Sequence, residues 1–196
     1  MANELAGRTV ALLVAPQGTE DAEFSEPKRA LTAAGATVHV ISAEAGEVTT
    51  VNHDLEPGER YTADKAFADS SAADYDALVI PGGTVGADKL RADVDAVALI
   101  HDFFEQGKTV GAICHAPWAL IEAGVVSGRT LTSYPTLQTD LKNAGATWTD
   151  AEVVSDGGLI TSRNPDDLPA FCARLIEEIG EGGQGKRAVP TVGAAE

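Results

Sequence analysis

Four short apolar runs recur along the chain, and amphipathic segments separate them. The runs are Val10–Val14, Val38–Ile41, Ala77–Ile80 and Val110–Ile113. A run that is apolar at nearly every position is typical of a strand buried on both faces of a parallel sheet. Parallel strands need crossover helices, which then cover both faces of the sheet. The alternation therefore predicts an α/β fold in which right-handed crossovers give a doubly wound sandwich.

The rest of the chain fits one domain over residues 1–180. Weaker strand signals lie at 130–132, 152–154 and 159–161, and helical patterns lie at 22–34, 87–106, 115–123, 136–144 and 165–179. Residues 44–75 are polar, include Pro57-Gly58, and predict a hairpin-like excursion or an irregular loop. We expect the Gly-rich tail 181–196 to be disordered.

Composition narrows the classes of function. The chain has 196 residues and a formal net charge of -16, which repels phosphate backbones and argues against nucleic-acid binding. It has no apolar run of about 18 residues, so we expect no membrane span. The N-terminal residues do not resemble a secretory signal, and we therefore expect a cytoplasmic protein.

Cys114 lies where the fourth apolar run gives way to a helical pattern. A nucleophile on a sharp strand-to-helix turn is exposed above the sheet, as in the nucleophile elbow. A helix beginning directly after Cys114 is expected to lower the pKa of the thiol through its N–H groups and dipole. The alternative is a structural cysteine, since free cysteines are often buried. Cys172, on the apolar stripe of the last helix, is predicted to be such a core residue.

Two other turns follow strands at the same edge of the predicted sheet, where ligands bind in open α/β folds. Glu20 and Glu23 lie after the first strand, and one carboxyl is expected to approach the thiol; acids are also favoured in a first helical turn by the dipole alone. Gly83 follows the third strand, and its N–H and that of His115 predict an oxyanion hole. A turn that needs positive φ would equally require glycine.

Histidine and cysteine spacing excludes several kinds of site. Cysteine and histidine never recur at zinc-ligand spacing, so we expect neither a metal nor a cofactor. No histidine follows His115, which excludes a triad with a downstream histidine and makes His115 the leading imidazole partner of Cys114. His53 is a weaker candidate, and His39 and His101 are predicted to be structural.

Taken in order, several longer stretches resemble the PfpI family of the DJ-one/PfpI superfamily, whose members have a flavodoxin-like sandwich. The resemblance covers residues 8–179 and rests on GTEDAEFSEPKRAL, YDALVIPGG, KTVGAICHAPWALIEAGVVSGRTLTSYP, LKNAGATW and TSRNPDDLPAF. It implies that Cys114 is the nucleophile and oxidation site, that His115 is its neighbouring histidine, and that Glu23 contacts the sulfur. It also implies that Gly83 contributes to the oxyanion hole.

The resemblance further places Glu20 near the mouth of the site and a subunit contact, and Tyr134 at the border of the pocket. It implies a homodimer or a higher homo-oligomer. Peptidase-like members donate a glutamate across a subunit interface to the histidine. Ala87 occupies that position here, and the adjacent Asp88 is the candidate substitute.

Three hypotheses of function follow from the resemblance. The first is a stress-response cysteine hydrolase or lyase, of deglycase or glyoxalase type, that removes glyoxal or methylglyoxal adducts. Its substrates would be small carbonyl compounds or glycated protein and nucleotide. The second is a redox-sensing stress protein whose Cys114 is oxidised with little turnover. The third is an intracellular cysteine peptidase, which needs Asp88 of a neighbouring subunit.

Overall fold

The computed structural model of the protein describes residues 3–182, in which strands and helices alternate. The strands are β1 (Thr9–Leu13), β2 (Gln17–Glu20), β3 (Thr37–Ser42), β4 (Gly46–Asn52), β5 (Glu56–Ala63), β6 (Lys65–Ala66), β7 (Ala77–Ile80), β8 (Thr109–Ile113), β9 (Thr130–Leu131), β10 (Thr147–Trp148), β11 (Val154–Asp156) and β12 (Leu159–Ser162). The α-helices are α1 (Asp21–Ala33), α2 (Thr84–Ala92), α3 (Val94–Glu105), α4 (Pro117–Glu122), α5 (Gln138–Asn143) and α6 (Leu168–Gly180).

The central sheet has seven strands in the order β11-β12-β8-β7-β1-β3-β6. Its strands are parallel except for β11, which runs antiparallel to β12. The four apolar runs of the sequence are β1, β3, β7 and β8, which are neighbours in the interior of this sheet. The predicted mostly parallel α/β fold is therefore confirmed.

Helices cover both faces of the sheet. On one face, Phe24 of α1 and Phe171 and Leu175 of α6 pack in one apolar cluster with β1 and β7. On the other, Leu90 and Phe103 of α2 and α3 join a second cluster that extends to α4. The apolar stripes of the helices are thus removed from water against the sheet, which is the main force that holds such a sandwich together.

The predicted single helix over 87–106 is wrong, because Asp93 divides it into α2 and α3. The backbone of Asp93 is extended, and its carboxylate accepts hydrogen bonds from the N–H groups of Asp95 and Ala96. An aspartate that caps the N-terminus of a helix in this way starts a new helix even where the apolar pattern continues.

The excursion over 44–75 contains a hairpin, one of the two alternatives that the sequence offered, and its later residues 65–66 form β6 of the main sheet. Strands β4 and β5 pair antiparallel, and β2, a short polar strand that the sequence did not predict, pairs parallel to β4. His53 and Asp54 form the tip of the hairpin with φ of 52° and 64°. The loop has three residues, 53–55, since Asn52 pairs with Glu56, and residues in the left-handed region are common in such short hairpin loops. The hairpin thereby brings a polar turn back over the carboxyl edge of the main sheet.

Most of the predicted disordered tail lies outside the described residues, which end at 182. Within residues 3–182, no helix is long and apolar enough to cross a membrane.

Candidate active site

Cys114 occupies a sharp turn at the end of β8. Its φ is +62°, in the left-handed region that costs free energy for any residue other than glycine. Two hydrogen bonds hold the turn: the N–H of Cys114 donates to the carbonyl of Ser162 at 3.1 Å, and its carbonyl accepts from the N–H of Tyr134 at 2.8 Å. The predicted strained turn is therefore present, and it fixes the direction of the thiol.

The predicted lowering of the thiol pKa is wrong. The following helix, α4, begins at Pro117, three residues after Cys114, and has six residues. Cys114 is 7% exposed. Burial raises the pKa of the Cys114 thiol, the charge of Glu23 raises it further, and the N–H groups of Gly83 and His115 act in the opposite direction. The same two N–H groups were predicted to form an oxyanion hole, and they face the sulfur here.

Glu23 lies in the first turn of α1 with no exposed surface. Its Oε2 accepts a 2.8 Å hydrogen bond from the N–H of Gly82. Its Oε1 has no hydrogen-bond partner among the described residues, and the thiol of Cys114 lies close enough to the carboxyl to lower its pKa. Burial raises the pKa of Glu23 to about 8, so the carboxyl keeps its proton at neutral pH. A protonated carboxyl in this position can donate a hydrogen bond to the sulfur.

Gly82 makes the approach of these two groups possible. A Cβ at this position would lie 2.7 Å from the Cβ of Cys114 and 2.7 Å from Oε2 of Glu23. Real Cβ atoms do not approach other atoms so closely, because interiors are packed at van der Waals distances. The Gly82-Gly83 turn therefore serves close packing at the thiol as well as placing N–H groups there.

His115 faces the thiol although the two residues are adjacent in sequence. Its Nδ1 lies 3.2 Å from Sγ of Cys114, an approach that the positive φ of Cys114 allows. The imidazole stacks on the ring of Tyr134, with 4.6 Å between ring centroids, and meets the edge of Trp118. Burial lowers the pKa of His115 from its ordinary value of 6.5, so the ring is neutral at neutral pH.

The structure adds two residues that the sequence analysis missed. Thr84, at the start of α2, places its Oγ1 3.4 Å from Nε2 of His115. Asp54, at the tip of the β4–β5 hairpin, accepts hydrogen bonds from the N–H of Thr84 at 2.6 Å and from its hydroxyl at 3.0 Å. No spacing or motif in the sequence pointed to this pair, because the hairpin reaches the site only in the folded chain.

Glu20 holds this hairpin tip in place. One of its carboxylate oxygens accepts from the N–H of His53 at 2.8 Å, and the other accepts from the N–H of Asp54 at 3.1 Å. Because both tip residues have positive φ, these two bonds stabilise a turn that non-glycine residues otherwise disfavour. Glu20 thus lies at the mouth of the site, where the resemblance placed it.

A cavity of about 260 Å³ opens above the thiol. Its lining residues come from six separate segments of the chain and are Glu20, Glu23, His53, Asp54, Gly83, Cys114, His115, Tyr134 and Pro165. The lining residues include three carboxyl groups and neither lysine nor arginine. Within residues 3–182, no group of three or more His, Cys, Asp or Glu side chains could hold a metal ion.

Three residues considered from the sequence lie away from the cavity lining. Asp88 is exposed on α2. Its predicted role needs the Cys114 cavity of a neighbouring subunit, and the homo-oligomer stays a prediction. His39, in β3 of the main sheet, contacts the ring of Tyr75, and His101 lies on α3.

Cys172 is only partly buried, beside Glu26 and Arg29 where α1 meets α6, and the prediction of a core cysteine is wrong for it. Burial raises the pKa of this second thiol to about 11.

Residues 8–178 match the sequence model of the DJ-1/PfpI family. The chain belongs to the DJ-1/PfpI family. It is 44% identical over 164 residues to the protein named "Putative cysteine protease YraA" of Bacillus subtilis, covering 84% of this chain and 94% of that protein. It is 42% identical over 175 residues to "Protein/nucleic acid deglycase 2" of Escherichia coli, covering 88% of this chain and 98% of that protein.

Among solved structures of this family, DJ-1beta of Drosophila melanogaster superposes with a TM-score of 0.79 at 31% identity, covering 94% of this chain and 95% of that one. The similarity therefore extends over nearly the whole fold of both proteins.

Proposed function

We propose that the protein removes glyoxal- or methylglyoxal-derived adducts from amines, with Cys114 as the nucleophile. The observation that carries the proposal is the surroundings of the thiol: a protonated carboxyl, Glu23, on one side and the neutral Nδ1 of His115 at 3.2 Å on the other. A neutral imidazole can take the proton of the thiol, and a neutral carboxyl can stabilise the resulting thiolate. The name of the Escherichia coli relative supports a deglycase activity.

The first part of the reaction forms a carbon–sulfur bond. The thiol of Cys114 passes its proton to Nδ1 of His115, and the sulfur bonds to the carbinolamine carbon of the adduct as the carbon–nitrogen bond breaks. The amine leaves with the proton from His115. The adduct is then a hemithioacetal on Cys114. A proton donated by the neutral carboxyl of Glu23 to the sulfur would offset the raised pKa of the thiol during attack.

The second part converts the hemithioacetal into a hydroxy acid without any external oxidant or reductant. The imidazole of His115, neutral again after the amine has left, removes the proton on the sulfur-bearing carbon. The oxygen of the neighbouring carbonyl becomes an enediolate oxygen, and the N–H groups of Gly83 and His115 hold the developing negative charge. The hydroxyl proton of the sulfur-bearing carbon passes to the enediolate oxygen, and the proton held by His115 returns to the second carbon, which gives a thioester of Cys114. Water hydrolyses it to the hydroxy acid, and the thiol is restored.

The size of the cavity favours small adducts over peptide substrates. About 260 Å³ is below the usual range of about 300–1,000 Å³ even for small-molecule pockets, and an extended polypeptide would occupy a longer groove. Peptidase-like members, by the resemblance, complete their triad with an acid from a neighbouring subunit, and Ala87 holds that position here. The deglycase hypothesis needs only groups that surround the thiol within one subunit.

The decisive experiment compares two matched cysteine variants. Wild type is given the methylglyoxal adducts of N-acetylarginine and N-acetyllysine, and both the released amine and the hydroxy acid are quantified. We expect Cys114→Ser to lose at least about 100-fold of the activity, because a serine hydroxyl is a far weaker nucleophile without a stronger base. Cys172→Ser, the control, keeps it. Full activity of Cys114→Ser refutes the proposal.

A concentration series separates a deglycase from a glyoxalase. An enzyme that consumes only free methylglyoxal can speed amine release no further than the spontaneous dissociation of the adduct allows. We expect the initial rate of amine release to rise in proportion to enzyme beyond that limit. A plateau at the spontaneous rate would assign the activity to the free aldehyde instead.

One observation also favours the redox alternative. The protonated carboxyl of Glu23 beside the sulfur could donate to the oxygen of a sulfenate or sulfinate, which would stabilise oxidised Cys114. Peroxide would oxidise the thiolate to a sulfenate and be reduced to water. Intact mass after mild peroxide, measured in wild type and in Cys172→Ser, tests it. Oxidation of Cys172 while Cys114 stays reduced contradicts this alternative.

A further inference from the structure

We infer that Asp54 and Thr84 are positioning residues that fix the tautomer of His115, so that the unprotonated Nδ1 faces the thiol of Cys114. The three groups form a chain from the hairpin tip to the sulfur: Asp54 carboxylate, Thr84 hydroxyl, His115 imidazole. The inference rests on the proposed function only for the readout of turnover, since the tautomer and the reactivity of the thiol can be measured without it.

The direction of each proton in this chain follows from the acceptor at its end. A carboxylate can only accept, so the hydroxyl of Thr84 donates its single proton to Oδ2 of Asp54 at 3.0 Å. The hydroxyl oxygen then has only lone pairs left to offer to Nε2 of His115. Nε2 must therefore carry the proton, and in a neutral imidazole Nδ1 is then a free acceptor.

Nδ1 is the nitrogen that lies 3.2 Å from the sulfur. The tautomer set by Asp54 is therefore the one that can take the proton of the thiol. With the opposite tautomer, Nδ1 would present an N–H to the sulfur and could not act as a base. When His115 becomes positively charged during attack, the carboxylate of Asp54 also stabilises that charge through Thr84.

The backbone makes the chain rigid. Asp54 accepts from both the N–H and the hydroxyl of Thr84, and Glu20 in turn accepts from the N–H of Asp54. The titratable groups that face His115 are the thiol of Cys114, the carboxylate of Asp54 and the phenol of Tyr134, with Glu20 and Glu23 further along the same cavity. Asp54 is the carboxylate that reaches His115 through a hydrogen-bonded neighbour.

This arrangement completes the site within one subunit. Peptidase-like relatives, by the resemblance, draw an acid for the histidine from a neighbouring subunit, and here that position is Ala87, which is fully buried. Asp54 provides an acid on the Nε2 side from the same chain. The protein then needs no partner copy for the orientation of His115, even if it assembles.

Replacement of Thr84 tests the inference most cleanly. Thr84→Val keeps the shape and removes the hydroxyl, whereas Thr84→Ser keeps the hydroxyl. We expect Thr84→Val to lower kcat by about 10- to 100-fold, a part of the about 100- to 10,000-fold that general-base catalysis contributes. KM should change little, because Thr84 is not among the residues that line the cavity. Thr84→Ser should restore kcat to within a few-fold of wild type.

The tautomer itself can be read by NMR of protein with ¹⁵N-labelled histidine, at a pH where the ring is neutral. Wild type should show His115, assigned by comparison with His115→Gln, as the Nε2–H form. Asp54→Asn leaves one acceptor oxygen for two donors from Thr84, so the hydroxyl can turn towards Nε2 and the Nδ1–H form should increase. Asp69→Asn, on an exposed side chain, is the matched control.

A third readout, the rate of Cys114 alkylation against pH, needs no substrate. The alkylation rate of Cys114 at neutral pH should fall in Thr84→Val and Asp54→Asn and recover in Thr84→Ser. Nδ1–H in wild type, or an unchanged tautomer and alkylation rate in Thr84→Val, overturns the inference. If the NMR and alkylation results are as expected but wild type shows no deglycase turnover, the proposed function is refuted and the inference about the tautomer stands. An alkylation rate of Cys114 that falls in Asp88→Asn but not in Asp54→Asn would assign the orientation of His115 to an acid of the neighbouring subunit and overturn the inference.

Discussion

The buried carboxyl of Glu23 predicts a pH dependence of stability that Glu23→Gln should remove. In the folded protein the pKa of Glu23 is raised by burial from 4.5 to about 8. The folded state therefore holds a proton that the unfolded state releases between these two values. The stabilisation is fully present below about pH 4.5, falls as pH rises, and is lost above about pH 8.

The size of this effect follows from the two pKa values. Their difference corresponds to about 5 kcal/mol, since a change of one in pKa is about 1.4 kcal/mol. This figure is an upper limit, because the charge of Glu23 is coupled to the proton of Cys114. Glutamine matches the neutral carboxyl in shape, can accept from Gly82 and can donate to the sulfur. Glu23→Gln should therefore gain stability relative to wild type as pH rises, by up to about 5 kcal/mol.

Urea denaturation measures the difference directly. The unfolding free energies of wild type and Glu23→Gln are obtained from the fluorescence of Trp118 and Trp148 between about pH 5 and pH 9. Glu44→Gln, on an exposed side chain, controls for the loss of one surface charge. A difference between wild type and Glu23→Gln that stays constant to within about 1 kcal/mol over this range would refute a buried, protonated Glu23.

Three further predictions concern the site. Activity should rise with pH as His115 loses its proton, and burial lowers the pKa of His115 below 6.5. Activity should then fall around pH 8, where Glu23 ionises. A fall at alkaline pH that persists in Glu23→Gln contradicts the role of this carboxyl. Gly82→Ala should lose about 1–3 kcal/mol of stability in urea denaturation, because its Cβ would lie 2.7 Å from Cys114 and Glu23, whereas Gly180→Ala, with nothing nearer than 3.7 Å, should not. Adducts of arginine or lysine side chains should have at least about tenfold higher kcat/KM than adducts of a nucleoside monophosphate, because carboxyl groups line the cavity without lysine or arginine. Added salt should reduce this difference in kcat/KM by screening the charges. Equal kcat/KM values for the two kinds of adduct at low salt would count against this prediction.

Burial on both faces explains why the sheet could be predicted. Strands β1, β3, β7 and β8 lie in its interior, so nearly all of their side chains are apolar and the runs are visible in the sequence. The short polar strand β2 carries no such pattern, because it pairs with β4 in a separate small sheet. The boundary at Asp93 was missed since the apolar periodicity continues from α2 into α3.

The thiol and its nearest partners were predictable, and the chain of hydrogen bonds behind them was not. Cys114, Glu23 and Gly83 each follow a strand at one edge of the sheet, so their meeting follows from the topology. Asp54 belongs to a hairpin whose position over that edge depends on tertiary packing. The pKa of Cys114 was misjudged for a similar reason, because the depth of burial cannot be read from a turn.

The chemistry of Cys114 can be tested directly by intact mass spectrometry of protein quenched in acid during turnover of a methylglyoxal adduct. We expect a transient mass increase equal to one hydroxyacyl group, located on the peptide that contains Cys114 and absent from Cys114→Ser. The adduct should disappear as the hydroxy acid accumulates. Steady turnover with no covalent species on Cys114, together with full activity of Cys114→Ser, would contradict this expectation.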